Sequence, residues 1–286
     1  MSHLGSDKFS EKTFEKFRKY IQETCGVIIA NDKKTHLSNR LRKRIKELNL
    51  PDYDEYWEYL TRTSEKNEEN LKLFEVVTIN ESYFQRGARH YKILSEFVFP
   101  EFYKQKRSEV SIWSCGVSTG EEAYDLSLLS IEFEKIHPDI KIKIIGTDVS
   151  NRVLEFARKG EYADRKIDQL TEAQLNEYFN PISPSQSSLT YAKKVIAVKP
   201  FLKEKVTFQY HNILCDEFLT NVDVIFCRNV LIYFCPKDRE EIISRFYSSL
   251  NPGGYLFLGH SEALQFSPKN FSVQHFSEGT IYIKKT

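Results

Sequence analysis

One stretch limits what this chain can fold into more than any other: Ile112-Trp-Ser-Cys-Gly-Val-Ser-Thr-Gly-Glu-Glu-Ala-Tyr124. An apolar strand, Val110 to Trp113, runs into a loop of small residues. A helix starts at once, because Glu121 and Glu122 open a run with apolar residues at Ala123, Leu126, Leu129 and Phe133. A strand, a glycine turn and a helix bring bare backbone close to a bound nucleotide. The loop is not G-x-G-x-x-G, and no Gly-Lys-Ser/Thr follows, so it is not a phosphate loop. Carboxylates rather than lysines stand at the helix start, which disfavours a pyrophosphate and suits a ligand with a cationic or hydroxyl-bearing face. S-adenosylmethionine (SAM) has a sulfonium, an ammonium and a ribose diol, and no phosphate. The competing reading is an ordinary strand-to-helix turn of an α/β protein.

The following segments weigh against that plain reading. Lys141 to Gly146 predicts a second strand with Thr147-Asp148 at its end, and an acid at that tip can take both ribose hydroxyls of an adenosine group. The alternative is that Asp148 caps the helix Asn151 to Lys159, a task Ser150 can perform instead. Val222 to Cys227 predicts a third strand, which leads into Arg228-Asn-Val-Leu-Ile-Tyr-Phe234. A helix with Ile242, Ile243, Phe246 and Leu250 on one side follows, then the turn Asn251-Pro-Gly-Gly254 and strands at Tyr255 to Gly259 and Gly279 to Lys285. Alternating strands and helices mean a mostly parallel sheet that binds ligands at the carboxyl ends of its strands.

Composition enters mainly by exclusion. A hydrophobic content of 41% and a formal net charge of +1 disfavour disorder and bulk attraction to nucleic acid. The first twenty residues have no apolar core and no run is long enough to span a membrane, so neither a signal peptide nor membrane insertion is expected. Cys25, Cys115, Cys215, Cys227 and Cys235 are odd in number and form no Cys-x-x-Cys pair. They read as reduced cytoplasmic thiols, with Cys115 a packing residue rather than a nucleophile. The seven histidines lack metal-ligand spacing, so no metal is expected.

The front of the chain has a different pattern. Phe14, Phe17 and Ile21 mark one amphipathic helix, Leu37, Leu41, Ile45 and Leu48 a second, and Tyr53, Tyr56, Trp57 and Leu60 a third. A helical domain over 1–72 is expected, with its boundary in the polar stretch Ser64 to Asn70. From Lys33 to Lys46 there are seven basic residues and no acid. With the leucines inward, Arg40, Lys43 and Arg44 are expected together on an outer face, either as a solvated surface or as a dock for an acidic partner.

With these motifs laid out, the chain resembles the CheR family of chemotaxis receptor glutamate methyltransferases over nearly its whole length. Asn80-Glu-Ser-Tyr-Phe-Gln-Arg86 is similar to the family's Asn-x-Thr-x-Phe-Phe-Arg segment. Trp113 to Tyr124, Phe226 to Phe234 and Gly259-His-Ser-Glu262 are similar to three further signatures. The resemblance implies an α/β class I SAM-dependent (Rossmann-like) methyltransferase sheet over 73–286, with a small N-terminal all-α domain and a small antiparallel β insertion at 181–211. It implies SAM as methyl donor, S-adenosylhomocysteine (SAH) as product and the cytoplasmic domain of chemotaxis receptors as substrate. Asn80, Ser82, Arg86, Glu122, Asp148, Asn212, Ile213, Asn229 and Val230 match cofactor-contacting positions. Arg86 and Tyr233 match residues beside the transferred methyl group. Four positions depart from the pattern: Ser82 replaces Thr, Gln85 an aromatic, Gly87 an acid and Asp125 a small hydroxyl residue.

The chemistry needs no general base, because a glutamate carboxylate is already ionised at neutral pH. Arg86 is expected to steer that carboxylate and the Tyr233 hydroxyl to fix geometry, with Arg40, Lys43 and Arg44 docking Glu-rich receptor helices. In the insertion, Leu189 to Ala192, Val195 to Val198 and Val206 to Tyr210 are expected as short strands; in some family members this subdomain binds a receptor tail peptide by strand addition. A monomer is expected, since no dimerisation heptads occur. A SAM-binding sensor without turnover and a methyltransferase for another protein stay open as alternatives.

Overall fold

The computed structural model describes residues 9–25, 27–62, 66–77, 82–190, 192–262 and 271–285. The chain divides into two compact units, one made of Met1–Ile79 with Tyr233–Glu240, the other of Asn80–Ile232 with Glu241–Thr286.

The first unit contains α1 (Glu11–Cys25), α2 (Lys34–Glu47), α3 (Tyr53–Arg62) and α4 (Lys66–Val77). Apolar residues at helical spacing meet inside it: Phe14, Phe17 and Ile21 of α1, Leu37, Leu41 and Ile45 of α2, Tyr56 and Leu60 of α3, and Leu73 of α4 are all buried. The returning segment joins through a bridge between Val27 and Phe234 and through the Ile28 N–H, which donates to the Tyr233 carbonyl at 2.8 Å. The polar stretch expected as a boundary is largely helix. From Lys66 onward it belongs to α4, whose acid Glu69, 3% exposed, is held inside by Arg44 and Tyr56 rather than solvated as a linker residue would be.

The second unit opens with a helix, α5 (Ala88–Ile93), which passes through a π-helical segment at Leu94–Val98 into α6 (Phe99–Lys104). Then come β1 (Glu109–Cys115), α7 (Glu121–Ile136), β2 (Lys141–Asp148), α8 (Asn151–Lys159), β3 (Glu161–Ala163), α9 (Glu172–Tyr178), β4 (Phe179–Ile182), β5 (Val195–Val198), α10 (Pro200–Lys203), β6 (Val206–Tyr210) and β7 (Val222–Cys227). The chain ends with α11 (Pro236–Ser249), which begins in the first unit, β8 (Leu250–Leu258), β9 (Phe271–Phe276) and β10 (Gly279–Lys284).

Seven strands form one sheet in the order β6-β2-β1-β7-β8-β10-β9. The five from β6 to β8 are parallel; β10 is antiparallel to both its neighbours. The order reverses between β1 and β7, the switch point where open α/β sheets bind ligands. β7 is buried along its whole length, as a central parallel strand must be. This is the expected class I methyltransferase sheet.

The small sheet differs from expectation in its strands. It has the order β3-β5-β4, all antiparallel, and spans 161–198. Val206–Tyr210 instead pairs parallel with β2 at the edge of the main sheet, and Leu189–Ala192 is irregular where described. A four- or five-residue apolar run is strand-like anywhere; which edge it joins depends on what the rest of the chain brings beside it.

Candidate active site

The tips of β1, β2 and β7 build the site. Gly116, with φ +76°, turns the chain out of β1. The N–H groups of Gly116 and Val117 donate to the Thr147 carbonyl at 2.8 and 2.9 Å, and the Ser118 N–H donates to Asp148 Oδ2 at 2.9 Å. The Ser150 N–H holds the other carboxylate oxygen at 3.0 Å. Ser150 caps α8 through its own hydroxyl, so Asp148 is not the cap. Gly116 has to be bare: a Cβ there would lie 2.4 Å from Val230 Cγ2, so the loops after β1 and β7 touch. On the far side the His211 N–H donates to the Asp148 carbonyl at 3.0 Å, which puts Asn212 and Ile213 next to the same strand tip. The Asn212 side chain accepts from the Leu214 N–H at 3.0 Å, and Arg245 holds the Ile213 carbonyl at 3.1 Å.

A turn from Ser82 to Gly87 carries Ser82 and Arg86, and three anchors hold it. Lys166 Nζ donates to the Ser82 carbonyl while the Lys166 carbonyl accepts from the Phe84 N–H at 3.0 Å; the same ammonium pairs with buried Glu121 at 2.8 Å. Asp125 accepts from the Gln85 N–H and from the Gln85 side-chain amide, each at 2.7 Å. Arg228 Nη2 donates to the Arg86 carbonyl at 2.5 Å. The Arg86 guanidinium lies 5.9 Å from the centre of the Tyr83 ring.

Arg228 ties this turn to the glycine loop and its helix. It pairs with Glu122 at 3.0 Å, and Glu122 accepts from the Ser114 hydroxyl at 2.8 Å. Burial alone would lower the Arg228 pKa, but Glu122 and Tyr91 overcome that and raise it, so the guanidinium stays charged. Asn229, at φ +60°, begins the loop after β7. Buried Glu262 holds it by accepting N–H bonds from Asn229 at 2.6 Å, Gly259 at 2.7 Å and Ile232 at 3.3 Å. A cavity of about 480 Å³ opens beside Arg228, lined among others by Gly87, His90, Gly259, His260 and Glu278. Burial, Arg228 and His260 push His90 down to about 4, so it is neutral at neutral pH.

Ser82, Arg86, Glu122, Asp148, Asn212, Ile213, Asn229 and Val230 therefore all lie at the carboxyl ends of the parallel strands or on the turn pinned there. Asn80 lies outside the described residues. Tyr233 belongs to the first unit. Arg228 and Glu262 stand inside motifs visible in the sequence but were not singled out there; Lys166 has no sequence signal at all, since only folding brings it to Ser82. Cys115 is buried beside Cys227; burial and Cys115 together push the Cys227 thiol pKa well up, so Cys227 is not an activated nucleophile.

Residues 80–280 match the SAM-binding domain of the CheR methyltransferase family, and residues 12–78 match that family's all-alpha domain. The chain belongs to the CheR methyltransferase family. It is 32% identical to a chemotaxis protein methyltransferase of Pseudomonas putida over 95% of this chain and 98% of that protein. It is 33% identical to chemotaxis protein methyltransferase 1 of Pseudomonas aeruginosa, covering 95% and 97%. With the chemotaxis protein methyltransferase of Escherichia coli identity is 30%, covering 93% and 89%.

The CheR site suits SAM on its donor chemistry. Its strand-tip acid, Asp148, stands beside a bare glycine turn, and Glu122 beside the same turn adds a second carboxylate for a cationic ligand. The Glu122 carboxylate has about four acceptor positions, more than its contacts to Ser114 and Arg228 require.

The CheR helical unit corrects one expectation. Arg40 and Arg44 do not share an open face with Lys43. Arg40 Nη1 donates to the Val77 carbonyl at 2.6 Å, at the end of α4, and burial lowers its pKa. Arg44 grips Glu69 with two bonds, at 3.1 and 2.7 Å, and also reaches Glu47 at 3.2 Å. The Glu69 hydrogen bond, the largest influence on Arg44, raises its pKa. α4, absent from the sequence reading, covers that side of α2. The exposed cations of α2 are Arg42, Lys43 and Lys46.

Proposed function

We propose that this protein transfers the methyl group of SAM to glutamate side-chain carboxylates of chemotaxis receptors, giving methyl esters and SAH. The reading rests on likeness over both units to proteins named as chemotaxis methyltransferases, together with a Ser82–Gly87 turn pinned at the strand tips. Bound SAM supplies an electrophilic methyl carbon whose bond electrons leave on sulfur. The chain supplies placement. Asp148 and Glu122 hold the donor, with Ser82, Asn212, Ile213, Asn229 and Val230 around it, and Asn80 completes the set by resemblance. Arg86 orients the incoming carboxylate. Charge is lost as the anion meets the sulfonium, so a single modest contact serves better than a tight ion pair, which would stabilise the ground state more.

Docking falls to α2. A Glu-rich receptor helix would meet Arg42, Lys43 and Lys46, while Arg40 and Arg44 brace the helix from within. The enzyme acts as a monomer in the cytoplasm; among the described residues no helix is long and apolar enough to cross a membrane. A receptor tail added to the small sheet would use β3, since the other edge, β4, contains Pro181, which has no N–H to donate.

The deciding experiment follows labelled methyl from SAM into receptor-containing membranes, then applies brief alkali. Release of the label as methanol supports a carboxyl ester; label stable to alkali sinks the glutamate assignment.

A further inference from the structure

Two of the departures from the family pattern are each other's partners. Gln85 stands where an aromatic is usual and Asp125 where a small hydroxyl is usual, and they are joined by two hydrogen bonds of 2.7 Å. Asp125 is fully buried on α7. Both its oxygens are taken by Gln85, one by the backbone N–H and one by the side-chain amide. The Tyr91 hydroxyl on α5 also donates to it. Tyr91 in turn touches Arg228 at 3.4 Å, and Arg228 holds the carbonyl of Arg86, the residue after Gln85. The contacts close a ring: Gln85, Asp125, Tyr91, Arg228, Arg86. Gln85 sits at φ +60°, where a residue with a side chain is strained, so an external hold on its N–H and amide is needed to keep the turn in that shape.

We propose that Asp125 and Gln85 act as a paired positioning device that sets the Ser82–Arg86 turn against the methyl-transfer site. Neither need touch a ligand. Their effect passes through the backbone of residues 85 and 86 to the Ser82 and Arg86 side chains. A hydrogen-bonded acid–amide pair here replaces whatever packing an aromatic and a small hydroxyl would provide, and the two positions have to change together.

The inference rests on the proposed function only for its kinetic readout. The test compares Asp125→Ser, Gln85→Phe and the double variant in the full-length protein, measuring SAH affinity by calorimetry, and kcat and KM for SAM with receptor membranes. Misplacing a catalytic group by about 1 Å can cost about 100-fold. Each single variant is therefore expected to lose about ten- to 100-fold in kcat/KM and to bind SAH more weakly, and the double variant to recover most of both. Circular dichroism and thermal melting identify any variant that does not fold; for such a variant Asp125→Asn, which keeps the shape and loses one acceptor, takes its place. Additive losses in the double variant, or single variants with unchanged SAH affinity and turnover, would overturn the pairing. If the wild type made no methyl ester, the proposed function would fall, and the SAH affinities alone would still decide the inference.

Discussion

Gly87 and Arg228 occupy one space. A Cβ built on Gly87 would lie 1.9 Å from Arg228 Nη2, and Gly87 has φ +72°, a backbone shape that side chains resist. The family pattern leads one to expect an acid at this position. Here the guanidinium fills the room an acid's stem would need, and uses it to reach the Arg86 carbonyl. Gly87→Ala should destabilise the protein by about 1–3 kcal/mol from backbone strain, with added loss as Arg228 is displaced. Urea unfolding of the variant measures the first effect, and SAH calorimetry the second.

Removing Arg228 should cost more. It is 7% exposed and Glu122 16%, so Arg228→Met leaves a largely buried carboxylate without its cation. Such a loss is worth about 3–5 kcal/mol. Because Gly87→Ala acts partly through Arg228, the two changes together should cost less than their sum, which a double-mutant cycle in urea would reveal.

The two kinds of cation on α2 should separate cleanly. Reversing Arg42, Lys43 and Lys46 to Glu should weaken receptor methylation strongly at low salt and leave stability within about 0.5 kcal/mol. Arg44→Ala should do the opposite to the helical unit, since Glu69 is 3% exposed and would lose its partner, at a cost of about 3 kcal/mol. Salt-dependent methylation rates and urea melts of both variants check this.

Asp125 predicts a pH slope. Burial raises its carboxyl from 3.8 to about 8, against the pull of the Gln85 and Tyr91 donors. Facing it are Tyr91 on α5, Glu122 on its own helix, Tyr162 on β3 and Arg228 after β7. Between those two values the folded state binds the proton and the unfolded state does not. Stability is therefore fully present below about pH 4 and is lost as pH rises towards about 8, by up to about 1.4 kcal/mol per unit. Melts from pH 5 to 8.5 should show this fall in the wild type and a shallower one in Asp125→Asn.

Tyr233→Phe should lower kcat with little change in SAM affinity, the outcome for a hydroxyl that serves the transition state rather than donor binding. A variant with normal turnover would remove Tyr233 from the catalytic set.

Much of the fold was legible because it depends on local pattern. β1, β2, β7 and α8 follow from apolar runs, a glycine turn and a serine cap, and Asp148 follows from its place at a strand tip. α4 was hidden because half its length is polar and its buried acid looks solvated until Arg44 is placed beside it. β9 was missed, and Val206–Tyr210 was assigned to the wrong sheet, because strand pairing is a long-range choice that no short window contains.

The amino-acid sequence by itself determined the sheet type, the turn after β1, the strand-tip acid and the family, since each rests on residues close together in the chain. Tertiary structure alone decided that Gln85 and Asp125 are partners, that Arg228 stands where a side chain of residue 87 would go, that Lys166 holds Ser82, and that Arg40 and Arg44 are braces rather than an open face. Those relations join residues 25 to 142 positions apart, and a buried polar group discloses its role only when the partner that satisfies it is in place.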